Sequence, residues 1–171
     1  MAATGSGESV RETRCPDCDA RVPDVEGPVH PYLGTSPGCW AIYGEVLARE
    51  YGDARYFAAH RLTVDTYAAQ HPGRRERRSS QSVNVHLVAL HLVLERNAAP
   101  AYVRRVLSAL AQRHQHEFEW LEPPATLGEV TVVDVLRAAT PDEHCALVRR
   151  WAESVYAAWA PRRQGFLRYL P

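Results

Sequence analysis

Cys15-Pro16-Asp17-Cys18 sets two thiols at the spacing that lets one tight turn present both to a single cation. A tetrahedral site needs two more ligands. His30 and Cys39 follow in the same loop-rich stretch, and Cys39 falls in the first turn of an expected helix, where the dipole favours a thiolate. Cys15, Cys18, His30 and Cys39 are therefore the expected ligands of a structural zinc site of three cysteines and one histidine. Two rival readings are a redox dithiol and structural cysteines without metal. The redox reading wants the pair at the start of a helix after a strand, and no strand–helix–strand pattern surrounds it.

A second group combines histidines with a carboxylate. His60 and His71 lie eleven positions apart, which places them within about 20° of one another on a helical face, with Val64 and Tyr67 on the same stripe. Asp65 points away, beside Arg61 four residues earlier. It is either a solvated partner of Arg61 or, if packing turns it inward, a metal ligand or general base. His86 and His91 diverge by about 140°, so their helix cannot aim both at one ion. The sharper expectation joins Asp65, His71 and His86 as catalytic candidates at the loop between two helices. The plainer one is that His86 and His91 are buried neutral imidazoles with one hydrogen bond each. His71 and His86 could also complete Cys15 and Cys18 in place of His30 and Cys39, and spacing leaves these arrangements open. His144 reads as a first-turn surface residue or a further candidate. His114 and His116 read as exposed, and Cys145 as a small core residue.

Helices must position these groups. Residues 1–13 read as a disordered tail and 14–40 as a metal knuckle leading into a single helical domain that runs to residue 171. Ser36-Pro37 is an N-cap followed by proline at the first helical position; that helix reaches Tyr51 and stops at Gly52. Asp53 caps a second helix that ends before Pro72. Gly73 to Arg78 reads as a basic turn, and Ser79 or Ser80 opens a third helix, apolar nearly all round and so central. Pro100 opens a fourth. Thr131 caps a short fifth, and Thr140-Pro141-Asp142-Glu143 is a capping box for a sixth, which repeats Leu147, Trp151, Val155 and Trp159. A last short helix covers 163–170. The expected fold is all-α, a compact bundle of five to seven helices with a loop-rich N-terminal knuckle.

Composition narrows the chemistry. The chain has 171 residues, 20 acidic and 20 basic, for a formal net charge of zero. That balance supplies no counterion-release engine for a strongly basic nucleic-acid binder, so nucleic acid is an unlikely partner. Every basic residue is arginine, so no lysine is present for a Schiff base or a phosphate loop. Hydrophobic residues make up 46% of the chain, enough for one core. No apolar signal segment opens the sequence, and the longest apolar run, 83–94, is too short to span a bilayer. A cytoplasmic protein without membrane contact is the expectation.

Several segments together resemble an uncharacterised domain-of-unknown-function family of small proteins from high-GC bacteria. They are Cys15-Pro16-x-Cys18, Gly27-Pro28-x-His30-x-Tyr32, Ser36-Pro37-Gly38-Cys39-Trp40 running on into Gly44-Glu45-Val46-Leu47-Ala48-Arg49-Glu50-Tyr51, Leu62-Thr63-Val64-Asp65-Thr66-Tyr67, Gln70-His71-Pro72-Gly73, Gln81-Ser82-Val83-x-Val85-His86-Leu87, Trp120-Leu121 and Trp151-Ala152-x-Ser154-Val155-Tyr156. The likeness spans about residues 15 to 160. It implies that Cys15, Cys18, His30, Cys39, Asp65, Tyr67, His71, Gln81 and His86 are motif positions, and it brings no activity with it. Three functions follow from the residues. The first is a small helical protein whose zinc pins the N-terminal loop onto the helical body, walling off a pocket beside Asp65, His71 and His86. The second is a small metal-dependent hydrolase, lyase or isomerase acting on a small-molecule ligand through those three residues. The third is a nucleic-acid or protein adaptor working through the knuckle, against which the acidic Asp17, Asp19, Asp24 and Glu26 argue.

Overall fold

The computed structural model describes residues 11–113 and 117–170. The chain opens with an antiparallel hairpin, β1 (Glu12–Arg14) and β2 (Arg21–Pro23), in which Thr13 faces Val22. The ordered knuckle therefore starts within the expected tail, while residues 1–10 of that tail lie outside the described residues, as do His114 and His116. The Cys15–Cys18 turn sits at the hairpin's tip. It is closed by backbone hydrogen bonds from Cys15 N to Ala20 O and from Asp19 N to Cys15 O, with Asp19 in the left-handed region at φ 57°. Aspartate tolerates that conformation better than most side chains do.

The all-α expectation holds for the body. Helix α1 (Pro37–Gly52) starts where Ser36 Oγ accepts from Cys39 N. Its buried stripe is Cys39, Ile42, Tyr43, Val46 and Glu50, the helical spacing of one face. The expected second helix is broken in two, a short α2 (Ala54–Phe57) capped by Asp53 and α3 (His60–Gln70). The break lets both His60 and Thr63 turn onto Glu50, and that buried contact outweighs continuous helix propensity. Helix α4 (Arg77–Leu94) begins two residues before the expected serines, which takes Arg77 and Arg78 out of the basic turn and into the helix. Then come α5 (Pro100–Arg113), α6 (Val132–Leu136), α7 (Pro141–Ala158), a 3-10 turn (Ala160–Arg162) and α8 (Arg163–Leu167).

Helix α3 packs against α4 and α7 and is the centre of the core, although its sequence is less apolar than that of α4. Seven of its residues are buried, four of them polar. Thr63, Asp65 and Gln70 are hydrogen-bonded, whereas the buried Thr66 Oγ1 has no partner among the described residues. Gln70 Nε2 donates to Leu127 O and Val130 O, while its Oε1 accepts from Trp151 Nε1 at 2.8 Å. Trp159 Nε1 donates to Ala69 O. The α7 stripe carries Trp151, Val155 and Trp159 fully inside, with Val148 rather than Leu147 continuing it. No helix among the described residues is long and apolar enough to cross a membrane.

The hairpin docks on α1 through Gly38. A side chain there would run into Pro23 O and press on Val22. Gly38→Ala should therefore destabilise the protein by about 1–3 kcal/mol, the usual range for overpacking. A shift in the midpoint of urea unfolding measures it, and an unchanged midpoint would show that the hairpin does not need this close approach.

Candidate metal centre

Four side chains from three separate parts of the chain meet beneath the knuckle. Cys15 and Cys18 come from the hairpin turn, Cys39 from the first turn of α1, and His71 from the end of α3. Their ligand atoms all lie within 4.8 Å of one another, and all four residues are buried. Cys18 Sγ is 3.9 Å from Cys39 Sγ, and Cys39 Sγ is 3.5 Å from His71 Nε2. For a tetrahedral zinc with Zn–S of about 2.3 Å and Zn–N of about 2.0 Å, the edges of the tetrahedron are about 3.8 Å between sulfurs and about 3.5 Å between sulfur and nitrogen. The four cysteines of the described residues include no disulfide.

Local sequence explains the aim of each ligand. Pro72 pushes His71 out of helical geometry, to φ −125° and ψ 65°, just after the last turn of α3. His71 Nδ1 then donates to Tyr67 O at 2.8 Å, which fixes the tautomer and leaves the Nε2 lone pair toward the sulfurs. Tyr67 stacks on the His71 ring at 4.0 Å, and its hydroxyl donates to Cys39 Sγ at 3.5 Å. Thr35 Oγ1 shares a 2.7 Å hydrogen bond with that same hydroxyl. Asp17, between the two hairpin cysteines, accepts from Gly73 N at 2.9 Å, so the hairpin turn and the His71-Pro72-Gly73 turn hold each other.

The electrostatics of three crowded thiols are uneven. Hydrogen bonds with Cys18 and Cys39 hold Cys15 far below the ordinary thiol range, while Cys15 and Cys39 push Cys18 far above it. Burial works against a charged His71, but hydrogen bonds with Cys15 and Cys39 outweigh it and raise that imidazole to about 9. Burial also raises Asp17, against the opposing hydrogen bond from Gly73.

The cluster differs from the sequence-based ligand set in one member. His30 stands apart from the sulfurs, its ring packed edge-on against Tyr32 at 4.3 Å and tilted against Trp40 at 5.3 Å. His71 takes the fourth position, so the cluster combines Cys39 from one proposed arrangement with His71 from the other. The expected catalytic trio is divided in consequence. His71 faces the thiols, whereas Asp65 and His86 bind each other, His86 Nδ1 donating to Asp65 Oδ1 at 2.7 Å. Asp65 is fully buried rather than solvated, and it still pairs with Arg61. His91 is a buried imidazole with Nδ1 at 2.8 Å from the Tyr156 hydroxyl, the plainer of its two readings.

Another polar cluster lies elsewhere. Glu50 is fully buried on α1 and accepts from His60 Nδ1 at 2.8 Å, His144 Nε2 at 2.9 Å and Thr63 Oγ1. His144 is thus an interior residue and not a surface one, because its position on α7 aims it at this carboxylate. Cys145 is half-exposed beside Arg55 O and not part of the core proper. The sequence reading gives Glu50 no chemical role, yet it carries a signal: Glu50 occupies the apolar stripe of α1, where a carboxylate needs a partner.

Residues 13–160 match a family described as "Family of unknown function (DUF5946)". No curated protein and no solved structure matches the chain.

Proposed function

Since the chain belongs to that family of unknown function, its role is argued from its own residues, and we propose that Cys15, Cys18, Cys39 and His71 bind one zinc ion that clips the N-terminal hairpin and the loop after it onto the helical body. The observation that carries this reading is the buried convergence of four donor atoms within 4.8 Å. Three thiolates and one imidazole favour zinc over harder cations, and four protein ligands leave no position open for substrate. The surroundings suit such an ion. Zinc with three thiolates keeps one net negative charge, and the Tyr67 hydroxyl and the N-terminus of α1 both face that charge through Cys39. The zinc is structural on this reading. It ties together segments that the short hairpin could not hold by itself, since a two-stranded hairpin is marginal in water.

Elemental analysis of natively purified protein tests it. One zinc per chain is expected, with an X-ray absorption shell of three sulfurs and one nitrogen. His30→Ala should keep the full zinc content and His71→Ala should lose most of it. The reverse pattern would restore His30 as the ligand, and a metal-free native protein with a Cys15–Cys18 disulfide would overturn the proposal.

A further inference from the structure

Asp65 and His86 form a pair that the metal centre does not use. Asp65 sits on α3 with its carboxylate fully buried, and three hydrogen bonds fix it. Arg61 approaches in bidentate fashion, with Nε at 2.7 Å and Nη2 at 2.9 Å, and His86 Nδ1 donates at 2.7 Å. An ionised carboxylate only accepts, so the His86 proton is held on Nδ1 and the lone pair of the neutral ring stays on Nε2. A carboxylate behind an imidazole in this way orients the ring and stabilises the imidazolium that forms when Nε2 takes a proton.

His86 opens onto a cavity of about 410 Å³. The first turns of α4 supply most of its lining, with Arg77, Arg78, Gln81 and Ser82 beside His86 and with Tyr32 from the knuckle loop opposite. Arg77 and Arg78 are exposed, and neither forms an ion pair with a carboxylate of the described residues. Ser79 Oγ donates to Tyr32 O at 2.9 Å and seats the loop against the helix.

We infer that this cavity binds a small oxyanion, the phosphate or carboxylate group of an organic substrate, and that His86 is its proton acceptor. The Arg77 and Arg78 guanidiniums hold the anion. His86 Nε2 takes a proton from a substrate O–H or C–H placed beside it. The bonding pair stays on the substrate atom, and the new imidazolium charge is held against Asp65. The same proton returns to the product before release. This reading rests on the zinc clip only for the Tyr32 wall, since the clip holds the loop that carries Tyr32.

Imidazole ¹⁵N spectra of the full, metal-loaded chain test the inference, with inorganic phosphate and acetate as separate probes and metal content measured on each sample. His86 should show the Nδ1–H tautomer. Its Nε2 resonance should shift saturably with at least one probe; phosphate alone would mark a phosphate-bearing substrate and acetate a carboxylate. Arg77→Gln combined with Arg78→Gln should weaken the response about tenfold or more with zinc content unchanged. Asp65→Asn should mix the tautomers while zinc is retained. An Nε2–H tautomer in the wild-type chain, or no response to either anion with zinc fully present, would overturn the site and leave the clip standing. Loss of zinc from the wild-type chain would count against the clip instead.

Discussion

Cys39→Ser is expected to strip the zinc from the purified protein and to lower its thermal midpoint by roughly 10–20 °C. Cys39 is the hub of the cluster, with Cys18 Sγ at 3.9 Å, His71 Nε2 at 3.5 Å and the Tyr67 hydroxyl at 3.5 Å. Serine keeps the size but offers a poor ligand for a thiolate-preferring ion. Structural zinc contributes its binding energy to folding directly. The helical body has its own core, centred on Tyr67, Leu87, Trp151 and Trp159, so part of the fold should survive. A loss on the order of 5 kcal/mol is then the expectation, and for a chain of this size each 1 kcal/mol moves the midpoint by about 2–4 °C. Chelation of the wild-type protein should reproduce the shift, because it removes the same ion. Cys145→Ser, at a half-exposed thiol away from the cluster, should leave both zinc and midpoint unchanged. Full zinc content in Cys39→Ser, by elemental analysis alongside calorimetry, would remove Cys39 from the site.

Local signals marked most of the helices and three of the four cluster residues as ligands. Ser36-Pro37 and Thr140-Pro141 open α1 and α7 as their capping chemistry requires, with Ser36 accepting from Cys39 N and Thr140 from Glu143 N. The Cys15–Cys18 spacing and the place of Cys39 in a first helical turn were equally local. The fourth cluster residue was not. His71 lies 32 positions from Cys39, and only the packing of α3 beneath α1 brings them together. His30 is the nearer histidine in sequence, yet its ring packs against Tyr32 and Trp40. Helical periodicity puts His60 and His71 on one stripe, and they stand about 16 Å apart along the axis at 1.5 Å per residue. One face then serves two different clusters, Glu50 at one end of α3 and the thiols at the other.

Glu50→Ala should be the most damaging single change outside the metal centre. The Glu50 carboxylate joins α1 to α3 and α7, receiving an imidazole N–H from His60, another from His144 and the Thr63 hydroxyl. Alanine leaves three donors facing a cavity, and two of them belong to the fully buried Thr63 and His144. Removing one member of a buried charged network costs about 3–5 kcal/mol, since the orphaned groups keep their desolvation penalty. Glu50→Gln should be milder, at about 1–2 kcal/mol. The amide oxygen can keep the Thr63 hydroxyl and the His144 Nε2–H, which share one carboxylate oxygen, and its NH₂ group then meets His60 Nδ1. His60 can adapt to that by carrying its proton on Nε2, beside the Tyr51 hydroxyl. Zinc content should stay full in both variants, because none of the four cluster residues touches Glu50. Urea unfolding of the two variants against the wild type measures the ordering. Equal losses for alanine and glutamine would mean that the negative charge, and not the hydrogen-bond geometry, is what α1, α3 and α7 need at this point. A negligible loss for alanine would mean that water replaces the carboxylate and that the network does not hold the three helices together.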